Sequence, residues 1–93
     1  MKNLTLKQLR YFEALADQAH FGRAADVTAI SQPALSVQIR ELETQLGGPL
    51  FERGGRSVTL TALGEALRPR IRAVLQSVDD LGDAARGAGG GLR

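Results

Sequence analysis

The chain has 93 residues, the length of one domain, and a chain this short buries only a modest core, so part of its apolar surface is expected to be covered by a partner subunit. Its 24% charged residues and net charge of +2 describe an ordinary water-soluble protein, mildly basic and compatible with a nucleic-acid partner without demonstrating one. With no cysteine and a single histidine, His20, the sequence excludes disulfides, cysteine–zinc sites and thiol catalysis, and it argues against a histidine metal cluster or triad; no cofactor, metal or enzymatic activity is expected. No apolar run approaches the roughly 20 residues of a membrane span and no signal-peptide pattern opens the chain. The expected location is the cytoplasm, away from membranes.

In chain order, Thr5 with Gln8 three residues on reads as a capping box, and Leu9, Phe12, Ala16 and Ala19 recur at helical spacing, giving a first helix over about 5–19. His20-Phe21-Gly22 breaks it, and His20 is placed to stabilise the carbonyls at its C-terminal end. A short second helix over about 23–29 follows, with Ala24 and Ala25 small enough for close packing, and then a turn at Ile30-Ser31. Ser31 is a cap and Pro33 suits a first turn, so a third helix runs over about 32–46, with Leu35, Ile39, Leu42 and Leu46 as its apolar stripe. Gly47-Gly48-Pro49 ends it. Two short extended runs on either side of Gly54-Gly55 read as a β-hairpin, and Thr61 caps a fourth helix ending near residue 86. The expected architecture is therefore mainly α: a winged helix-turn-helix over residues 1–60, a linker and dimerisation helix over 61–86, and a flexible Gly-rich tail over 87–93. Such a tail implies a fragment of a longer protein.

The third helix carries the functional argument. At 100° per residue, a core-facing Leu35/Ile39/Leu42/Leu46 stripe leaves Ala34, Val37, Arg40, Glu41 and Thr44 outward, with Ser36 and Gln38 on the flanks. The first half of that outer face is small and almost uncharged, a surface able to enter a major groove and reach base edges, while Glu41 and Glu43 come where the helix leaves the groove. A solvated amphipathic helix would look similar in isolation; the short helix and tight turn before it, and the arginine-tipped hairpin after it, favour recognition.

The run from Phe21 to Leu46, F-G-R-A-A-D-V-T-A-I-S-Q-P-A-L-S-V-Q-I-R-E-L-E-T-Q-L, continued by G-G-P-L-F-E-R-G-G-R-S-V-T-L-T-A-L-G, strongly resembles the N-terminal domain of LysR-type transcriptional regulators. The resemblance extends over about residues 4–86, and the His20-Phe21 pair is also similar to the peroxide-responsive OxyR subgroup. It implies sequence-specific binding to double-stranded DNA in bacterial transcription regulation, as a dimer on an interrupted palindrome. It also implies a C-terminal effector-binding domain outside this sequence and a tetramer in the full protein. The residues expected at DNA are Ser31, Gln32, Pro33, Ala34, Ser36, Val37, Gln38 and Arg40 around the third helix, with Arg53 and Arg56 on the wing. Gln32 either contacts DNA or helps the cap. Val37, where many members of the family have arginine, is either merely solvated or packs on a thymine methyl. Arg53 and Arg56 suit phosphate forks and a narrow minor groove. A sequence-tolerant architectural DNA binder and a pure dimerisation module are the rival readings.

On the fourth helix, Leu67, Ile71, Val74, Val78, Leu81 and Ala85 follow a 4-3-4-3-4 spacing, which is a heptad seam expected to bury against an identical helix. Pro69 should kink it. The family resemblance implies an antiparallel pair of these helices, and the charges favour the same answer: a pairing centred near Leu75 and Gln76 would set Arg72 opposite Asp79 and Arg68 opposite Asp83, whereas a parallel one would stack like charges.

Overall fold

Four helices and two strands follow one another along the backbone, and the computed structural model describes residues 3–54 and 57–91. Helix α1 spans Leu6–Gln18. The Thr5 hydroxyl accepts the Gln8 amide N–H while Gln8 Oε1 accepts the Thr5 N–H, the reciprocal capping box. The helix closes on Ala19 in the left-handed region at φ 54°.

Helix α2 spans Phe21–Thr28 and starts two residues earlier than the sequence implies. The reason corrects the role expected of His20: its Nδ1 accepts the Arg23 N–H at 3.2 Å, so the imidazole caps the start of α2 rather than the end of α1. Histidine is not among the usual N-cap residues, which hides this start from a reading of sequence. Ala29 closes α2, again left-handed at φ 59°. Helix α3 spans Gln32–Leu46 with the expected bounds, Ser31 Oγ accepting the Ala34 N–H at its start and Gly47 at φ 92° ending it.

Strands β1 (Phe51–Gly54) and β2 (Ser57–Leu60) pair antiparallel with Phe51 opposite Leu60 and Arg53 opposite Val58. The wing is tied to the helical body where the Val58 N–H donates to the Ala19 carbonyl at 3.0 Å. Thr61 then serves both sides of a junction, donating its hydroxyl to the Pro49 carbonyl at 2.7 Å and accepting the Gly64 N–H at 3.1 Å. Helix α4 spans Ala62–Gly91, continuous through Pro69 and five residues past the end expected at 86. Glycine lowers helix propensity without terminating a helix by itself; residues 92 and 93 lie outside the described residues.

The core is continuous from α1 to α4: Phe12, Leu15, Leu35, Ile39, Leu42 and Leu50 are fully enclosed, with Phe12 and Phe51 ring centroids 5.2 Å apart. Ala24 and Ala25 let α2 approach this core closely and are themselves buried. The architecture is mainly α, three helices with a two-stranded wing and a long fourth helix, as the sequence implies.

Candidate nucleic-acid interface

Helix α3 is held by Leu35, Ile39 and Leu42, which have no exposure, and that anchorage fixes what its other face presents. Ala34, Val37, Arg40, Glu41 and Thr44 are exposed, Val37 at 48%, and Ser36 and Gln38 sit half-buried on the flanks. Ser31, Gln32 and Pro33 are exposed at the helix start, although the Ser31 hydroxyl is engaged as the cap.

The start of α3, the start of α2 and the wing converge on a cleft of about 220 Å³ bordered by His20, Phe21, Gln32, Arg53 and Ser57. Gln32 and Arg53, separated in sequence, are thereby brought together. The Arg53 guanidinium stacks over the Phe21 ring, 4.8 Å from its centroid. Stacking of this kind holds an arginine's plane while leaving its edge N–H groups able to fork onto an anion. Arg56, expected beside it, lies outside the described residues.

Glu43 has a role that its place late in α3 does not reveal. Its Oε2 accepts the N–H groups of Leu50 at 2.7 Å and Phe51 at 3.4 Å, so one carboxylate anchors the loop leading into the wing. Hydrogen bonds to a charged group are worth about 1.5–3 kcal/mol, and Glu43→Ala is expected to destabilise the domain by about that much. Glu43→Gln, which retains an acceptor but not the charge, should fall in between; urea unfolding of the three proteins checks the order.

The fourth helix requires a correction. Ile71 is only 5% exposed and Leu75, outside the expected seam, 8%; both pack into the chain's own core, with Leu67 partly buried beside them. The expectation that the seam buries against an identical helix therefore fails for Leu67 and Ile71. What stays uncovered is Val74 at 44% and Leu81 at 71% exposure, flanked by half-buried Val78 and exposed Ala85. The arginines expected to face a partner's aspartates are also engaged within the chain. Arg68 meets Asp17 at 2.7 Å and Arg72 meets Glu13 at 2.8 Å, both on α1. The hydrogen bond that Arg72 donates to the Glu13 carboxylate raises the Arg72 pKa further above its already high ordinary value. Arg68 and Arg72 thus already have partners on α1, so their charge does not by itself argue the polarity of a helix pair. The sequence carried a clue in Glu13 and Asp17, spaced one turn apart on the face of α1 beside the core, but nothing local links them to residues more than 50 positions away.

An exposed, lightly charged recognition-type helix behind a short helix and turn, with an arginine-bearing wing at its side, defines a winged helix-turn-helix head. A family model described as "Bacterial regulatory helix-turn-helix protein, lysR family" matches residues 6–65, and the chain belongs to that family. It is 48% identical over 83 residues to the HTH-type transcriptional regulator IlvR of Caulobacter vibrioides, an alignment covering 89% of this chain and 28% of that protein. The fold superposes with a TM-score of 0.86 on the BenM DNA-binding domain in complex with benA site 1 DNA, at 38% identity over 91% of this chain and 99% of that one. It also superposes with a TM-score of 0.85 on full-length OxyR from Pseudomonas aeruginosa, at 40% identity over 91% of this chain and 29% of that one. The chain thus spans little more than a quarter of IlvR and of full-length OxyR. These similarities show the family and do not single out the OxyR subgroup within it. Among the described residues no helix is long and apolar enough to cross a membrane.

Proposed function

We propose that this chain is the DNA-reading head of a bacterial transcription regulator. Residues 1–60 form the head, which lays α3 in a major groove and places the wing on the adjoining backbone. Residues 61–86 link two heads into a dimer on an interrupted palindrome, in the cytoplasm. The effector-responsive function and the tetramer belong to the longer regulator. The observation that carries this reading is that Gln32 and Arg53 border one cleft at the start of α3, a helix whose Ala34 and Val37 are exposed. The similarity to a DNA-binding domain solved in complex with DNA supports it.

Of the residues expected from sequence, Gln32, Ala34, Val37 and Arg40 on the groove side and Arg53 on the wing retain exposed side chains for this task. Ser36 and Gln38 contribute from the flanks, Pro33 shapes the helix start, and Ser31 acts through its cap. Selection from random-sequence duplexes, followed by titration over a range of salt, tests the reading. One dyad-symmetric site should emerge. Gln32→Ala should cost about 1–3 kcal/mol on that site if it makes a bidentate base contact, and much less on random DNA. Arg53→Ala should weaken binding to all sequences and flatten the salt slope by about one unit. Binding without enrichment of any sequence would favour the architectural reading, and no binding even at low salt would remove DNA altogether.

A further inference from the structure

Behind the half-buried Gln38 of α3 sits the one buried polar side chain described, Gln8 of α1, at 4% exposure. Three amide groups form a directed chain. The Thr5 N–H donates to Gln8 Oε1 at 3.2 Å, and Gln8 Nε2 donates to Gln38 Oε1 at 3.3 Å. The direction is dictated by chemistry: a backbone N–H can only meet an acceptor, so the oxygen of Gln8 must face Thr5 and its NH₂ must face Gln38. Gln38 answers with its oxygen, and its NH₂ has no protein partner among the described residues. A free glutamine amide turns over readily and can meet either a donor or an acceptor; this one cannot without breaking a partly buried hydrogen bond.

We propose that Gln8 is a positioning residue that fixes the polarity of Gln38, so that Gln38 presents a donor and contacts a hydrogen-bond acceptor on the duplex, a phosphate oxygen or the acceptor edge of a base. This rests on the reading of α3 as the DNA-facing helix. It assigns a task to a side chain that never reaches the DNA, and it divides the labour on α3: Gln32 is free to pair with adenine through both ends of its amide, whereas Gln38 is committed to one end.

Gln8→Glu isolates the effect. Glutamate at the third helical position is itself a capping-box residue, so it keeps the bond from Thr5. Its carboxylate can only accept, which turns the Gln38 amide round and presents oxygen outward. Gln8→Glu should therefore lose about tenfold or more in affinity for the selected site, as should Gln38→Ala, and the double variant should lose no more than Gln38→Ala alone. Gln8→Met, uncharged and without the donor, should also weaken binding only while Gln38 is present, and it serves if burial of a carboxylate unfolds the first variant; thermal melting shows which variants are folded. On the DNA side, one methylphosphonate or one 7-deazapurine should weaken wild type but not the Gln8→Glu variant, the former naming a phosphate and the latter a base. Wild-type affinity for the Gln8→Glu protein would reduce Gln8 to a capping role and overturn the proposal. A loss that persists undiminished on the Gln38→Ala background would mark plain charge repulsion and overturn it equally. A wild type that binds no duplex would instead overturn the DNA reading itself, on which this one stands.

Discussion

Aspartate at both Val74 and Leu81 is expected to leave each head folded and yet abolish tight binding to a site with two half-sites. Both side chains are exposed, at 44% and 71%, and neither belongs to the enclosed core, so the substitutions remove nothing that holds the head together. They do place charge in the apolar strip that Val74, Val78, Leu81 and Ala85 form on the outer side of α4, the surface proposed to meet a second copy. Full burial of a large aliphatic side chain contributes about 1.5–3 kcal/mol, and in a two-fold interface each change counts twice. Two heads on one linker convert the second half-site contact into an intramolecular event, a gain of about 10²–10⁴ in overall affinity. That gain is what the double aspartate variant should lose, with affinity for an isolated half-site unchanged. Sedimentation and titration on one-site and two-site duplexes make the measurement; a dimeric variant would place the interface elsewhere. Ile71→Asp does not serve, because Ile71 lies within the head's own core and its loss would confuse unfolding with dissociation. Orientation follows from a cysteine at Ala85, which has no competing native thiol: it should crosslink to itself in a parallel pair and not in the antiparallel pair that the family resemblance implies.

Gly64→Val is expected to cost about 3 kcal/mol or more of head stability, at the upper end of what overpacking does. Gly64 lies in the first turn of α4, where the helix crosses the entry to the wing. A Cβ there would stand 2.2 Å from the Leu50 carbonyl oxygen and 2.9 Å from Leu60 Cδ2. The first of these is backbone, and that same carbonyl accepts the Thr61 N–H at 2.9 Å, so it cannot swing away without opening the junction. Gly64→Ala should already be harmful, and the added methyls of valine extend the clash toward Leu60. Gly54→Ala in the wing, where a Cβ would meet nothing within 4 Å, is the control and should be nearly neutral. Chemical denaturation of the three proteins decides it, and an undiminished Gly64→Val would mean that α4 has freedom to lift off the wing.

The elements that local chemistry controls were legible in the sequence. Thr5 with Gln8, Ser31 with Pro33, and Gly47 fix the bounds of α1 and α3 through backbone groups within a few positions of themselves, and they lie where the sequence puts them. The start of α2 was not legible, because an imidazole acceptor does the work usually given to serine or aspartate. The outward face of α3 followed from periodicity alone, since four large aliphatic residues determine its inward side. The partners of α4 did not: a stripe of apolar residues says that something covers it, and only the tertiary arrangement distinguishes Ile71 and Leu75, covered by this chain, from Val74 and Leu81, which are not. Gln8 and Glu43 were obscured for a related reason. Each reads locally as a cap or a solvated acid, and its second partner lies in another element.

The ties from Arg68 and Arg72 to Asp17 and Glu13 make α4 a surveyor's arm as well as a tether. From Ala62 to Leu81 the helix is about 30 Å long at 1.5 Å per residue, so a tilt of about 7° at its root carries the far end roughly 3.4 Å, which is one base-pair step along a duplex. In the proposed dimer, the accuracy with which the second head finds its half-site is therefore set by angular play at the root, where four charged side chains brace the arm against α1. Arg72 and Asp17 are about half open to water while Arg68 and Glu13 are more sheltered, so salt loosens the braces in part. Spacing tolerance between half-sites should then widen with ionic strength, separately from the general weakening of contacts to the phosphates.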